Sequence, residues 1–395
     1  MKKSYSILDL LSMESCTGCR SCAQVCPAVS ASKDGRLSGI YRLDILKRIN
    51  RKRAGLFPKL FSKKLPLSEK HISEYGNSVF KCTLCGNCER VCPVGIGLTD
   101  IWVKLREDLV RTGVSPKQIE RIKENVENSH NVFDEDNEER AEWVEDMEDA
   151  PDHGYVKETA EIVYFTGCVA SYFPMAQKIA ISLAEIFQAF DVDFTLLGED
   201  EWCCGFPLVG AGLSDITKDI IAHNIDVVKK RQAKTIVFAC PSCYEMWLRH
   251  YPIEIEMLHA TEYLARLLRS RKVSFKNIDM TVTYHDPCDL GRGAGVFDAP
   301  REIIARIPGV KLVELEHNRD ACLCCGGGGN LEMIDSGLSQ KIAEIKMTEV
   351  MASGADAVIT SCQQCVRTMT GHVRRNNMDL KVMDVAELLR LALIS

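Results

Sequence analysis

Cys16, Cys19, Cys22 and Cys26, followed by Pro27, make the run C-x2-C-x2-C-x3-C-P, and Cys82, Cys85, Cys88 and Cys92, followed by Pro93, repeat it. This spacing lets three thiolates from one loop occupy three corners of a [4Fe-4S] cubane, while proline after the fourth cysteine turns the chain toward a neighbouring cluster. The fourth ligand therefore crosses over. Cys16, Cys19, Cys22 and Cys92 are expected to hold one cluster, and Cys82, Cys85, Cys88 and Cys26 the other. Zinc asks for four ligands in two separated pairs, which a tight run of three plus one does not offer.

The rest of the cysteines fall into a duplication with a period of about 120 residues, beginning near Glu161. The first copy places Cys168 after the apolar run Ile162 to Phe165, then Cys203-Cys204-Gly205, then Cys240 and Cys243 after Thr235 to Phe238. The second places Cys288 after Thr281 to Tyr284, Cys324-Cys325-Gly326 after Val310 to Leu315, and Cys362 and Cys365 after Ala357 to Thr360. Each copy thus offers five thiols at strand ends, where parallel α/β sheets form their functional crevice. Five thiolates exceed the needs of one tetrahedral zinc or one simple cubane, so an iron-sulfur assembly with an extra thiolate explains the count better. Gly205 and Gly326 are expected to bring backbone amides close to the cluster sulfurs; Gly327 to Gly329 read either that way or as a flexible turn. Cys322 stands outside the repeat and reads as a buried small hydrophobe.

Ile162 to Cys168 (IVYFTGC), Leu197 to Gly205 (LGEDEWCCG), Thr281 to Cys288 (TVTYHDPC) and Asp298 to Arg301 (DAPR) resemble the CCG-domain iron-sulfur proteins, most closely those of the heterodisulfide reductase D-subunit type. In those proteins a ferredoxin-like half is fused to two CCG domains. The resemblance covers nearly the whole chain. It implies two noncubane [4Fe-4S] clusters, each held by five cysteines, with a disulfide of coenzymes M and B cleaved between them; all ten positions are cysteine here. Departures are Asp289, where the methanogen protein carries His, and Ala321 to Asn330 (ACLCCGGGGN). Similar chains serve glycerol 3-phosphate, lactate and glycolate dehydrogenases or sulfite-reduction complexes as electron conduits only, commonly with cysteines missing from one copy. The resemblance therefore implies an oxidoreductase acting on sulfur groups, with a noncatalytic electron-transfer subunit as the alternative.

Proton donors for leaving thiolates are sought beside Cys288, among His285, Asp286 and Asp289, because a donor must sit within hydrogen-bond reach. His285 reads equally as a residue that orients the cysteine loop. Gly291, Gly293 and Gly295 lack the dinucleotide-binding spacing, so flavin or haem is expected on a partner, a cytochrome b-type membrane subunit or a flavoprotein.

The elements that must position these residues follow from the apolar patterning. Runs of four or five apolar residues alternate with helical patterns such as Ile179, Leu183, Ile186, Phe187 and Phe190, or Ile342, Ile345, Met347 and Val350. The expected fold is α+β to α/β: a mostly helical two-cluster domain at 1–125, an acidic linker at 126–160, and two pseudo-symmetric α/β domains at 161–278 and 279–395. Within the linker, Asp134 to Asp149 reads as a solvated connector, with Trp143 a residue that would anchor it. Arg42, Lys47, Arg48, Arg51, Lys52, Arg53, Lys63 and Lys64, interleaved with Ile45, Leu46, Ile49, Leu56, Phe57, Leu60 and Phe61, read as an amphipathic basic helix, either solvated or docked on an acidic partner or membrane surface. With 395 residues, nineteen cysteines and a net charge of -6, no basic footprint suggests nucleic acid, and metal ligation in a reducing compartment is preferred to disulfides. No apolar run approaches a bilayer span and no secretory leader is read, so a cytoplasmic location is expected, or a peripheral one on the cytoplasmic face.

Overall fold

The structure is a computed structural model that describes residues 5–54, 69–151 and 154–394. It divides into two compact units. One comprises Met1–Arg121, Pro207–Ser214 and Gly326–Ile345; the other comprises Ile122–Phe206, Asp215–Cys325 and Lys346–Ser395.

The larger unit holds two four-stranded parallel sheets. The first copy contributes β1 (Ile162–Phe165), β2 (Phe194–Thr195), β3 (Thr235–Phe238) and β4 (Glu256–His259), in the order β2-β1-β3-β4. The second contributes β5 (Met280–Tyr284), β6 (Val310–Leu312), β7 (Ala357–Thr360) and β8 (Lys381–Asp384), in the order β6-β5-β7-β8. The strands β1, β3 and β7 are buried throughout, as unbroken apolar runs covered on both faces must be. The edge strands β4 and β8 run from exposed to buried, which is why no apolar run announces them. In each sheet the central pair, β1 with β3 or β5 with β7, is the point where strand order reverses. In parallel sheets of this order, that is where a crevice forms outside the carboxyl ends of the strands.

Both copies share one core. Tyr164, Phe187, Val237 and Leu264 of the first copy lie in a continuous apolar cluster with Val282, Ile303, Ile359 and Leu389 of the second. Helix Pro174–Ala189 of the first copy packs on helix Val385–Ala392 of the second, with Arg390 paired to Glu185 at 2.6 Å. The two copies therefore pack around one shared core.

In the smaller unit, helices Glu69–Phe80 and Leu98–Arg111 bury Tyr75, Val79, Phe80, Ile101, Trp102 and Leu105. Arg42 departs from the solvated basic face expected of its helix. It is buried, and its guanidinium donates to the Ser78 carbonyl at 2.7 and 3.1 Å. The side chains of Arg51, Lys52 and Arg53, and residues Leu56, Phe57, Leu60, Phe61, Lys63 and Lys64, lie outside the described residues.

The acidic stretch also departs from expectation. Asn137–Asp146 forms a 3-10 helix whose Arg140, Trp143 and Val144 are buried, with Trp143 and Val144 in the core of the larger unit. Its acidic residues face water while one arginine and the apolar residues face in, so it is a strap and not a connector. Among the described residues, no helix is long and apolar enough to cross a membrane.

Candidate iron-sulfur centres

In the smaller unit, each cysteine run curls through two left-handed residues, Gly18 and Arg20 in the first and Leu84 and Gly86 in the second. Successive turns of that hand make a concave backbone that favours an anionic guest. Cys16, Cys19, Cys22 and Cys92 line one cavity, together with Arg20, Gly39 and Pro93. Cys26 stands instead among the second run. Burial pushes its thiol up to about 11, against the pull of Arg42, with Cys82 and Cys85 adding to the rise. Burial likewise raises Cys88, with Cys82, Cys85 and Cys26 as charged neighbours. Each run of three is thus brought together with the last cysteine of the other. Cys19 is exposed, whereas Cys26 and Cys85 are buried.

Arg106 organises the second of these sites. Fully buried, it donates to the carbonyls of Val79 (3.0 Å), Phe80 (3.3 Å), Cys82 (2.6 Å), Gly210 (2.5 Å) and Gly329 (3.0 Å). Gly210 and Gly329 belong to the two segments that follow Cys203-Cys204 and Cys324-Cys325 in the chain and fold into this unit. Asn330 ties one segment to the other through the Pro207 carbonyl at 2.9 Å.

The run Gly326 to Gly329 is therefore not merely a flexible turn. Gly329 has φ +61°, and a Cβ there would collide with the Cys82 carbonyl oxygen and lie 2.7 Å from the Thr83 carbonyl carbon. Gly329→Ala is expected to destabilise the smaller unit by at least about 1–3 kcal/mol, the usual cost of a non-glycine residue in such backbone. Urea unfolding followed by tryptophan fluorescence measures it; an unchanged midpoint would contradict the close approach.

In the larger unit, the loops after β1 and β3 carry Cys168 and the pair Cys240 and Cys243, so these thiols flank the crevice. Pro241 starts helix Pro241–His250 with its φ already set, and Cys240 is the N-cap. Spacing of three at a helix start places both thiols on one turn. The five thiols form a connected chain, Cys168 to Cys203 to Cys204 to Cys243 to Cys240. Hydrogen bonds from Cys203 and Cys243 bring Cys204 down to about 6. The Gly205 amide, at φ +91°, donates to Cys203 Sγ at 3.4 Å.

The second copy repeats the arrangement. Cys362 caps helix Gln363–Arg375, accepting the Cys365 amide on Sγ at 3.4 Å, and Cys365 Sγ lies 3.3 Å from Cys325 Sγ. Burial, then Asp289 and Cys324, raises the Cys288 thiol. Gly326 has φ +95°, and its carbonyl accepts from Ser339 Oγ at 3.0 Å.

The two five-thiol sets are joined reciprocally. Gln363, inside the second C-x2-C, donates to the Thr166 carbonyl at 2.9 Å and accepts the Ala170 amide at 3.2 Å, on either side of Cys168. Ser242, inside the first C-x2-C, donates to Asp289 at 2.5 Å, next to Cys288. Each pair of cysteines thus reaches the loop of the other copy's lone cysteine.

The three residues singled out beside Cys288 separate in space. Asp289 is half-buried and its other oxygen accepts from Cys288 Sγ at 3.3 Å. Asp286 is buried in a bidentate pair with Arg301 (2.7 and 2.9 Å) and also accepts the Arg319 amide at 2.7 Å. Those bonds suit it to holding the loop, not to giving up a proton. His285 is buried, with Nδ1 3.4 Å from Cys322 Sγ and Nε2 without a partner, and one of its ring nitrogens lies within 4.8 Å of Cys325 and Cys365 Sγ.

Sequence reasoning missed Arg140, whose guanidinium donates to Glu201 (2.9 and 3.1 Å) and to Cys168 Sγ (3.4 Å). Glu201 in turn accepts the amides of Thr166 and Gly167 at 2.9 and 2.8 Å. A single arginine inside an acidic run was the available signal. Cys322 also departs from an inert hydrophobe, since Lys346 Nζ donates to its sulfur at 3.5 Å. An iron-sulfur cluster fits what is present: convergent thiols on concave backbone, an amide and a guanidinium on sulfur, and a buried imidazole with a ring nitrogen within 4.8 Å of two thiols.

Known proteins share this architecture. Residues 12–96 match the 4Fe-4S dicluster domain family, and residues 162–247 and 282–370 each match the cysteine-rich domain family CCG. The D subunit of the dihydromethanophenazine:CoB–CoM heterodisulfide reductase of Methanosarcina mazei is 35% identical over 407 residues, covering 99% of this chain and 96% of that one. The B subunit of the fumarate reductase (CoM/CoB) of Methanothermobacter marburgensis is 28% identical, covering 97% and 73%. The probable iron-sulfur-binding oxidoreductase FadF of Bacillus subtilis is 32% identical, covering 79% and 46%. The chain belongs to the heterodisulfide reductase D-subunit family of iron-sulfur proteins, in which a 4Fe-4S dicluster domain is joined to two CCG domains.

Proposed function

We propose that this chain is the disulfide-reducing subunit of an oxidoreductase complex, taking a small-molecule disulfide R–S–S–R′ with two electrons and two protons to two thiols, or running the reverse oxidation. Cys16, Cys19, Cys22 and Cys92 would hold one cubane cluster, and Cys82, Cys85, Cys88 and Cys26 the second. Cys168, Cys203, Cys204, Cys240 and Cys243, and Cys288, Cys324, Cys325, Cys362 and Cys365, would hold two noncubane clusters. When bound, such clusters supply electrons singly and iron as a Lewis acid for sulfur.

The observation that carries this reading is the pairing of two complete five-thiol sets through Gln363 and the Ser242–Asp289 bond. A disulfide has two sulfurs, and a crevice flanked by two equivalent thiol sets suits both. Asp289 sits beside Cys288, half open to water, where a proton for a leaving thiolate is needed. Gln363 fixes the spacing of the two cysteine loops. The electrons would come from a cytochrome b-type or flavoprotein subunit, and the Methanosarcina mazei relative's name makes the CoM–CoB heterodisulfide the first substrate to try.

Anaerobically loaded protein, carrying about sixteen irons if all four clusters are [4Fe-4S], is expected to oxidise reduced viologen on addition of that heterodisulfide, and Asp289→Ala to slow turnover about 10²-fold. A fully loaded chain that turns over no disulfide, yet passes electrons between a dehydrogenase and a carrier, would replace this reading by the electron-conduit role.

A further inference from the structure

The two copies align residue by residue around their cysteines, and at two places they differ in chemistry. Three residues before the lone cysteine, the first copy has Phe165 and the second His285; two residues before the paired cysteines, the first has Glu201 and the second Cys322. Both differences lie in one cluster of side chains. In the first copy, the Glu201 carboxylate is matched by the buried Arg140 cation and spends its remaining capacity on the loop amides of Thr166 and Gly167. In the second, the Cys322 sulfur is matched by the Lys346 cation, whose side chain is 0% exposed and which also bonds Glu349 at 2.8 Å. Cys322 then engages His285 Nδ1 at 3.4 Å. Cys322 thus stands where its counterpart carries a carboxylate.

These contacts place the imidazole. Nδ1 lies 3.4 Å from Cys322 Sγ, Nε2 is buried and partnerless, and the ring sits beside the second thiol set, with a ring nitrogen within 4.8 Å of Cys325 and Cys365 Sγ. A bare lone pair facing sulfurs would be repelled, whereas an N–H there is attracted by thiolate and sulfide charge. Hydrogen bonds to cluster sulfur raise a reduction potential, because they stabilise the added electron.

We propose that His285 donates an Nε2–H hydrogen bond to sulfur at the second CCG centre, held in place by Cys322 and Lys346, and that this makes the two CCG centres electronically unequal. At the matching position the first centre has Phe165, which offers no donor, and it carries instead the Arg140 guanidinium on Cys168 Sγ at 3.4 Å, so the two centres are tuned by different donors. The two sulfurs of a bound disulfide would then meet different partners. His285 and Cys322 are positioning residues here. The inference rests on the proposed occupancy of the ten thiols, and the experiment separates the two.

In wild-type protein loaded anaerobically with 15N-histidine, pulsed EPR of the CCG centres should show weak coupling to one histidine nitrogen and to one deuterium-exchangeable proton, at one centre only. His285→Phe should abolish both and lower the reduction equilibrium constant of that centre at least tenfold, which is 59 mV for a one-electron couple, leaving the other centre unmoved. His285→Gln, which keeps an N–H, should restore part of the shift. Cys322→Ala should retain the iron but broaden or weaken the proton coupling. The inference falls if wild-type protein shows no histidine coupling, if the nitrogen coupling is that of a direct iron ligand, or if His285→Phe moves both centres equally. Loss of no iron in Cys325→Ala would instead remove the occupancy on which it rests, and the inference with it.

Discussion

Arg140→Met is expected to lower the stability of the larger unit by about 3–5 kcal/mol, the usual penalty for removing one partner of a buried ion pair. Both side chains are 2% exposed, so no water replaces the lost guanidinium. Glu201 would keep its two amide donors but remain a buried carboxylate without a cation, and Cys168 would lose a donor to its sulfur. Set against the roughly 5–15 kcal/mol typical of a folded domain, that loss is a large share. Denaturant unfolding of metal-free wild type, Arg140→Met and the double variant Arg140→Met/Glu201→Leu provides the measurement. The double variant should recover only part of the loss, because it removes the stranded charge but leaves the Thr166 and Gly167 amides without their acceptor. A single variant within about 1 kcal/mol of wild type, on the order of error for such work, would show that the pair is dispensable.

Arg106→Met should act on the smaller unit. Five carbonyls lose a donor at once, with Val79 keeping the Cys82 amide, and an unsatisfied buried acceptor costs about 1–3 kcal/mol, so even partial relaxation leaves a loss above about 3 kcal/mol. Burial already draws the guanidinium down to about 10, with Cys82 working in the opposite sense, so the site holds the cation at a cost that its hydrogen bonds offset. The expected result is poor retention of iron at the Cys82, Cys85, Cys88 and Cys26 set, with the Cys16 set less affected. Lysine is no substitute, because an ammonium cannot span carbonyls arranged for a planar fork. Iron analysis and EPR of Arg106→Lys and Arg106→Met test this; full loading of both four-cysteine sets in either variant would overturn it.

Much of the architecture is legible in the residues. Unbroken apolar runs mark β1, β3 and β7 because those strands are covered on both faces, and a cysteine two or three residues past each run lands at the crevice of a reversing parallel sheet. Contacts that close over long sequence separations are not legible. Arg140 sits in an acidic run, and only folding shows that it turns inward to Glu201, while its acidic neighbours stay in water. Arg42 looks like one more cation of a basic helix until Ser78 is found beneath it. Cys322 resembles an odd thiol because its partners come from β5's end and from a helix beyond Gly326. β4 and β8 escape notice because edge strands are only partly covered and so lack an apolar run. The shared core of the two copies is hidden for another reason: a repeat in sequence does not say whether its copies pack separately or together.

The borrowing of Pro207–Ser214 and Gly326–Ile345 by the N-terminal unit has a consequence for how the protein is made. A ribosome delivers the eight front cysteines early, yet Arg106 waits for Gly329 before its last carbonyl arrives. The front unit is thus completed only once most of the polypeptide has been synthesised. A fragment ending near residue 121 would leave Arg106 without the Gly210 and Gly329 carbonyls, so completion of the front unit is tied to synthesis of the second half.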